Sequence, residues 1–100
     1  MKNPNTIIHG QDLTQLKMFT DPGHGWLEVP MRLINALSIE NKISSCSYRN
    51  GRFAYLEEDC DLSVFIRAIG DDLWRSVMNQ FPCEHTDSDS VVRGYSFYEI

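Results

Sequence analysis

The sequence predicts an α+β fold, in which a mixed, mainly antiparallel sheet of about four strands carries two to three helices on one face. Three observations support this prediction. Two strand-like segments flank Asn50 and Gly51, a pair that favours a tight β-hairpin turn. Apolar residues recur at helical spacing between residues 62 and 81. Residues 91–98 are again rich in the β-branched and aromatic residues that strands prefer.

Length and composition favour one soluble domain spanning residues 1–100. A chain of 100 residues hides roughly two-thirds of its surface on folding, which is enough for one apolar core. Hydrophobic residues make up 42% of the chain and charged residues 23%, so intrinsic disorder and a disulfide scaffold are disfavoured. No repeat or linker divides the sequence, and a single unit is expected.

The first half of the sequence predicts two strands, a turn and a helix. A strand is expected at residues 16–19, and the proline and glycines of residues 21–25 indicate a turn. Residues 26–29 suit a second short strand, and Pro30 suits the first position of a helix. The apolar residues on one face of that helix would be Leu33, Ile34 and Leu37.

The predicted hairpin has a two-residue loop at residues 50–51. Its strands span residues 43–48 and 53–56. The cross-strand pairs on one face are then Tyr48 with Phe53 and Cys46 with Tyr55. This aromatic face is either a second layer of core or an exposed patch that a partner could bind.

Two amphipathic helices are expected in the second half. Their apolar residues are Leu62, Phe65, Ile66 and Ile69 in the first helix, and Leu73, Trp74, Val77, Met78 and Phe81 in the second. The first should end at Gly70. The second should be capped by Asp71 or Asp72 and end at Pro82. A polar loop at residues 83–90 then leads into the final strand.

The charge balance disfavours direct contact with nucleic acid. The net charge of −5 opposes attraction to phosphates, and no run of Lys and Arg offers a local exception along the sequence. An acidic field instead steers basic protein surfaces toward the chain.

The sequence also predicts a soluble protein of the cytoplasm. No apolar run approaches the roughly 18 residues of a membrane-spanning helix, and the first residues lack a signal-peptide core. Cys46, Cys60 and Cys83 are an odd number at irregular spacing, which favours reduced thiols over disulfides.

Four acidic residues precede the first of these two helices: Glu57, Glu58, Asp59 and Asp61. They suggest a metal site or a mimic of nucleic-acid charge. The alternative is that they stabilise the start of the helix, where backbone N–H groups lack partners. Their spacing matches no calcium loop, so helix capping is the favoured interpretation and no metal site is predicted.

A tetrahedral zinc site is the second metal hypothesis. It would combine Cys83 and His85 with Cys46 and Cys60, if the fold brings these residues together. Paired CxxC spacing is absent, and a chain with this apolar content needs no structural metal. We therefore expect neither a metal nor another cofactor.

His24 is the candidate catalytic residue. It lies between two glycines, in a loop with the backbone freedom of an active-site turn, and could act as a general base. Catalysis would require a carboxylate from residues 57–61 or a Cys60 thiolate beside it. No known catalytic signature surrounds it, so a tight turn that places Trp26 in the core is the favoured interpretation.

The strand aromatics favour binding over catalysis. Two or three short helices cannot cover both faces of a sheet that carries Tyr48, Phe53, Tyr55, Tyr95, Phe97 and Tyr98. Exposed rings beside charged groups are typical of protein-binding hot spots. The residues predicted to bind a partner are Tyr48, Arg49, Phe53, Tyr55, Glu57, Glu58 and Tyr98. Arg49, Arg52 and Arg93 are expected at the rim of this patch.

Three blocks carry a family resemblance: residues 21–30 (DPGHGWLEVP), residues 42–48 (KISSCSY) and residues 55–61 (YLEEDCD). They resemble a family of small uncharacterised proteins encoded by bacteriophages and other mobile elements. The resemblance covers roughly residues 18–69 and implies no catalytic residue. It does imply a context, because small acidic phage proteins often bind and block a host protein, including components of restriction or CRISPR defence.

The sequence therefore predicts a noncatalytic phage or mobile-element accessory protein that binds and inhibits or modulates a host protein complex. It would act in the host cytoplasm without a cofactor, a membrane or direct nucleic-acid contact. Homo-oligomerisation stays open. Two alternatives also stay open: a small hydrolase that uses the His24 loop, and an acidic DNA mimic.

Overall fold

A computed structural model describes residues 6–99, which form eight strands and three α-helices. The strands are β1 (Ile7–Ile8), β2 (Gln11–Asp12), β3 (Lys17–Thr20), β4 (Gly25–Pro30), β5 (Tyr48–Asn50), β6 (Phe53–Glu57), β7 (Cys83–His85) and β8 (Ser96–Phe97). The helices are α1 (Met31–Ala36), α2 (Leu62–Ile69) and α3 (Asp71–Val77). None of the helices within residues 6–99 has the length and apolar character needed to cross a bilayer.

Six strands form one mixed sheet in the order β7-β3-β4-β6-β5-β8, and β1 pairs with β2 separately. Neighbours in the large sheet are antiparallel except β3 and β7, which run parallel. The α+β class is confirmed, whereas the prediction of about four strands is corrected to six. β7 lies in the predicted polar loop, and its three residues are all exposed. They therefore lack the apolar alternation by which strands are recognised.

The two faces of the large sheet bury different side chains, because successive residues of a strand point to opposite faces. One face, called here the helix face, carries Leu27, Val29, Ala54 and Leu56. All three helices contribute to its core, for example through Leu33, Phe65 and Val77. The other face, called here the aromatic face, buries Phe19, Trp26 and Tyr55 together with Val92.

The aromatic face is covered by chain from the C-terminal segment. The expected strand at residues 91–98 is corrected here: a 3₁₀ turn, Val91–Gly94, precedes a strand of only two residues. The hydroxyl of Ser90 accepts a hydrogen bond from the Val92 backbone N–H at 3.3 Å and starts this turn. Val92 is thereby directed into the aromatic core, where it is fully buried.

The β5–β6 hairpin is confirmed, but its register differs from the prediction. The loop residues are Gly51 and Arg52, so that Tyr48 pairs with Tyr55 and Asn50 with Phe53. Gly51 has φ +59°, which suits the first central position of a type II′ turn. The shift moves each partner by two residues, and therefore leaves the same side chains on each face. Residues 43–47 form no strand.

The positions of the three helices agree with the prediction better than their ends do. α2 ends at Gly70 as predicted, where φ is +96° and the N–H donates to Ile66 O at 2.9 Å. α1 begins after Pro30, which is the last residue of β4. α3 ends well before Pro82. Its N-cap residue is Gly70, so Asp71 and Asp72 lie in the first turn and provide no side-chain cap.

Candidate functional site

The turn between β3 and β4 is organised by the carboxylate of Asp21. This side chain is 1% exposed and accepts hydrogen bonds from the backbone N–H groups of Gly23 and His24, both at 3.0 Å. It also accepts from Ser90 N at 3.0 Å. Arg93 donates to it through Nε at 2.6 Å and through an Nη at 2.9 Å. This guanidinium group, aided by the backbone donors, holds the pKa of Asp21 well below its usual range.

Arg93, which was predicted at the rim of a binding patch, therefore belongs to a clamp. Its guanidinium lies over the ring of Trp26, with 5.3 Å between its central carbon and the ring centroid. Beside Asp21, the pKa of Arg93 is raised above its ordinary value. The ion pair joins residues 72 positions apart and attaches the C-terminal segment to the aromatic face.

The same turn places His24 beside Glu57. His24 Nδ1 lies 3.0 Å from Glu57 Oε1, and Glu57 Oε2 accepts a hydrogen bond from Asp59 N at 2.9 Å. Glu57 is the last residue of β6 and pairs with Trp26 across the sheet. His24 and Asp59 each lie two positions beyond that pair, and this register explains why they come near each other. The sequence suggested this carboxylate as one of several partners for His24, without a way to choose it.

Three potential ligands converge at this position: His24, Glu57 and Asp59, called here the His24 cluster. One ligand atom from each lies within 4.8 Å of the others. Glu57 is buried at 7% exposure, the His24 side chain is 45% exposed, and Asp59 is exposed. Within residues 6–99, the Asp59 carboxylate makes no hydrogen bond or ion pair.

The capping role predicted for the acidic block is wrong. The first turn of α2 contains no acidic residue, and the N-cap residue Asp61 makes no side-chain cap. Its carboxylate instead accepts hydrogen bonds from Ser44 Oγ at 2.9 Å and Ser47 Oγ at 2.6 Å. Ser47 Oγ also accepts from Glu57 N at 3.1 Å, so a buried polar network ties the hairpin to the start of α2.

The four proposed zinc ligands form two separate pairs. Cys46 and Cys60 meet beside Ser44, and the Cys46 thiol is the largest cause that raises the pKa of Cys60. Cys83 and His85 lie on β7 near Thr20, with Cys83 Sγ and His85 Nδ1 at 3.8 and 2.8 Å from its hydroxyl. β7 is the edge strand beside β3, whereas the first pair flanks β5 and β6. The Cys₃His cluster is therefore not assembled in the described part of the chain.

Three of the residues predicted to bind a partner are buried: Tyr55 and Tyr98 at 3% exposure, and Glu57 at 7%. Tyr55 lies in the aromatic core, and its hydroxyl donates to Glu28 Oε2 at 2.8 Å. Burial is the main reason that its pKa is raised. Tyr98 packs in the helix-face core and donates to the Glu40 carbonyl at 2.8 Å. The expectation that these two rings are exposed was wrong.

The other predicted residues stay at the surface. Phe53 is 37% exposed, Glu58 is exposed, and Tyr48 and Arg49 are partly exposed. The most exposed ring is Phe97 at 63%, which was not among the residues predicted to bind. It lies on the edge strand β8 and stacks on Tyr48 with 5.5 Å between ring centroids. Its position in a strand-like segment was visible in the sequence, but its exposure was not.

A groove of about 620 Å³ lies at the end of the sheet where β4 finishes and the β5–β6 hairpin turns. Its lining includes Glu28, Pro30, Arg32, Arg49, Arg52 and Phe53, and it is called here the arginine groove. Arg32 donates to Gln11 Oε1 at 2.7 Å, and Arg49 donates to the Glu99 carbonyl at 3.2 Å. Within residues 6–99, none of the three guanidinium groups forms an ion pair.

The arginine groove corrects one inference from the sequence. Three of the nine Lys and Arg residues meet here although they do not form a run along the chain. The fold therefore creates a local basic surface on a protein whose net charge is −5.

Comparison with protein-family models, with curated proteins and with solved structures finds no match to this chain. The resemblance to phage and mobile-element proteins accordingly stays a prediction. The His24 cluster and the arginine groove lie at opposite ends of the β4–β6 pair.

Proposed function

We propose that this protein is a noncatalytic accessory factor of a phage or mobile element. It binds a host protein complex, such as a restriction or CRISPR defence component, and inhibits or modulates it. The arginine groove is the observation that carries this proposal, because it combines an exposed ring with three arginines that form no ion pair within residues 6–99. The phage context rests on the sequence resemblance alone.

The composition of the groove is that of a protein-binding hot spot. Phe53 provides an exposed apolar surface, and the half-buried Pro30 extends it along the groove. Aromatic and arginine side chains are enriched at the energetic centres of interfaces. The exposed Phe97 and the partly exposed Tyr48 add two more rings on the neighbouring strands β8 and β5.

The charge of the groove indicates which kind of partner surface it accepts. A guanidinium group binds a carboxylate through two parallel hydrogen bonds. Glu28 also lines the groove, but its carboxylate accepts a hydrogen bond from Tyr55 and, within residues 6–99, forms no ion pair with the three arginines. An acidic segment of a host protein complements the groove. The negative charge of the whole molecule opposes a long polyanion such as nucleic acid. An acidic partner segment differs from the basic protein surface that the net charge of −5 alone suggests.

Affinity capture with charge-reversal variants tests the proposal. The wild-type chain and an Arg49→Glu/Arg52→Glu variant are immobilised and exposed to host lysate, and bound proteins are identified by mass spectrometry. An Arg67→Glu/Arg75→Glu variant is the matched control, because it alters net charge equally at exposed sites on α2 and α3. A Phe53→Ser variant tests the apolar contribution separately.

The expected result is a host protein that the wild type and the control retain, and that the Arg49/Arg52 and Phe53 variants lose. The purified partner should then show reduced activity when the wild-type chain is added. The proposal fails if no protein is captured specifically, if all variants capture the same proteins equally, or if nuclease treatment of the lysate abolishes capture.

The hydrolase alternative has one observation in its favour, the 3.0 Å contact between His24 and Glu57. An oriented imidazole is one requirement of general-base catalysis. Among the described residues, however, no Ser, Thr or Cys side chain hydrogen-bonds the His24 ring. Hydrolysis of an activated ester that is abolished by His24→Gln, and not by His85→Gln, would favour this alternative.

The DNA-mimic alternative has less support. A mimic must present its carboxylates to solvent, but Asp21, Glu57 and Asp61 are buried and hydrogen-bonded internally. These three acids therefore do not contribute to a surface that resembles a phosphate backbone.

A further inference from the structure

We propose that the His24 cluster binds one divalent transition cation, of the class of Zn²⁺ or Mn²⁺. The ligands would be His24 Nδ1, a carboxylate oxygen of Glu57 and a carboxylate oxygen of Asp59. These three groups come from the β3–β4 turn, the end of β6 and the loop that follows it. No metal was predicted here from the sequence, because the spacing of the acidic block matches no calcium loop and only the fold joins His24 to Glu57.

The spacing of the ligand atoms fits a single ion. Nitrogen and oxygen ligands lie at about 2.0–2.2 Å from Zn²⁺, so that adjacent ligand atoms are separated by about 3.0 Å in octahedral and about 3.4 Å in tetrahedral coordination. His24 Nδ1 and Glu57 Oε1 are 3.0 Å apart, and all three ligand atoms lie within 4.8 Å. Asp59 is exposed and has room to turn its carboxylate toward the other two.

The electrostatics of the cluster favour a cation. Two carboxylates lie close together, one of them buried, and within residues 6–99 neither forms an ion pair with Lys or Arg. Two neighbouring negative charges repel each other, most strongly where water is excluded. A bound dication would remove this repulsion, and would replace the hydrogen bond between Nδ1 and Oε1 by two coordinate bonds.

The protein holds two of the ligands in place before any ion arrives. The Asp21 carboxylate accepts the His24 backbone N–H and fixes the turn. Ser47 Oγ accepts the Glu57 N–H, while Glu57 Oε2 accepts the Asp59 N–H. Such supporting contacts orient ligands and strengthen metal sites. One imidazole with two carboxylates suits a borderline cation, and three protein ligands leave coordination positions for water.

This site and the arginine groove can be tested independently. The His24 cluster lies where Trp26 pairs with Glu57, and the groove lies where Pro30 pairs with Phe53, at the other end of the same two strands. Loss of cation binding therefore leaves the protein-binding proposal intact, and the reverse also holds.

The experiment uses the full-length protein after chelator treatment and dialysis. Zn²⁺ is titrated by calorimetry, and Mn²⁺ is added to isotopically labelled protein to broaden the NMR signals near the site. The test variants are His24→Gln and Asp59→Asn, which change exposed side chains. The controls are Glu58→Gln, a neighbouring acid outside the cluster, and His85→Gln, which belongs to an exposed His85–Asp87 pair at 3.2 Å.

We expect saturation at one cation per chain and Mn²⁺ broadening centred on Gly25 and Asp59. Each test variant should weaken the affinity at least about tenfold, because even supporting residues of metal sites have effects of this size. The controls should bind as the wild type does. The proposal is overturned if no stoichiometric binding occurs, if the test variants bind normally, or if His85→Gln weakens binding as much as His24→Gln.

Discussion

The two faces of the large sheet are closed by different means. The helix face is covered by three helices, and its core consists mostly of aliphatic side chains around Phe65. The aromatic face is covered mainly by the 3₁₀ turn at Val91–Gly94 and its neighbour Tyr95, which the Asp21–Arg93 ion pair holds in position. The helix face is held together by packed apolar side chains, whereas the cover of the aromatic face is held by the Asp21–Arg93 ion pair.

This difference teaches where the molecule can present binding groups. On the helix face, the side chains of the sheet are buried beneath the helices. The lightly covered aromatic face ends in accessible groups: the His24 cluster at one end of the β4–β6 pair and the ring of Phe53 at the other. Loops and strand ends on a rigid scaffold are common positions for binding residues.

The largest expected loss of stability comes from a substitution in the core beneath the helix face. Phe65 is fully buried there, and Phe65→Ala should lower the free energy of unfolding by about 3–5 kcal/mol through lost contacts and a cavity. Urea unfolding followed by circular dichroism measures this change. Phe97→Ala, on a ring that is 63% exposed, is the control and should have a much smaller effect. Equal losses in the two variants would contradict the assignment of the main core.

An intermediate loss of stability is expected from Asp21→Asn, which removes the negative charge of the Asp21–Arg93 ion pair. The folded-state pKa of Asp21 is depressed, so its contribution to stability is fully present above its ordinary pKa of 3.8. That contribution is lost as the pH falls toward the folded-state pKa. Wild type should therefore be more stable than the variant at pH 7, and the difference should shrink below about pH 4.

Thermal unfolding of both proteins between pH 7 and pH 2 measures this dependence. Asp87→Asn provides the matched control, because its carboxylate is exposed and lies in no clamp. A difference between wild type and Asp21→Asn that is constant with pH would show that the Asp21–Arg93 pair does not hold the aromatic face.

The smallest expected effect comes from Tyr55→Phe within the aromatic face. The substitution keeps the ring in the core and removes the hydroxyl that donates to Glu28, so it should cost about 1 kcal/mol of unfolding free energy. Tyr48→Phe is the control, because within residues 6–99 the Tyr48 hydroxyl makes no hydrogen bond. Urea unfolding should separate the two; identical curves would mean that the buried hydroxyl contributes nothing to stability.

Patterns within a few neighbouring residues were predicted well. The spacing of Leu62 and Phe65 predicted α2 and its end at Gly70, and the proline and glycines of residues 21–25 predicted the turn. The hairpin was predicted with its loop displaced by one residue, because Asn50 and Gly51 both suit a turn and only the observed pairing distinguishes the alternatives.

Predictions that needed distant partners fared less well. The acidic block before α2 was assigned to helix capping, but Asp61 bonds to Ser44 and Ser47, and Glu57 to His24. Tyr98 was expected at the surface, but it packs into the helix-face core. In each case the side chain's environment is formed by residues well separated from it along the chain.

The sequence by itself determined the α+β class, the turn that carries His24 and the amphipathic helix α2, because spacing and turn chemistry act between near neighbours. Only the tertiary structure decided the remaining features. Strand pairing joined His24 to Glu57, the C-terminal segment brought Arg93 to Asp21, and the end of the sheet collected the arginines of the groove. These contacts connect residues separated by tens of positions, and a local pattern contains no information about which distant residue closes each one.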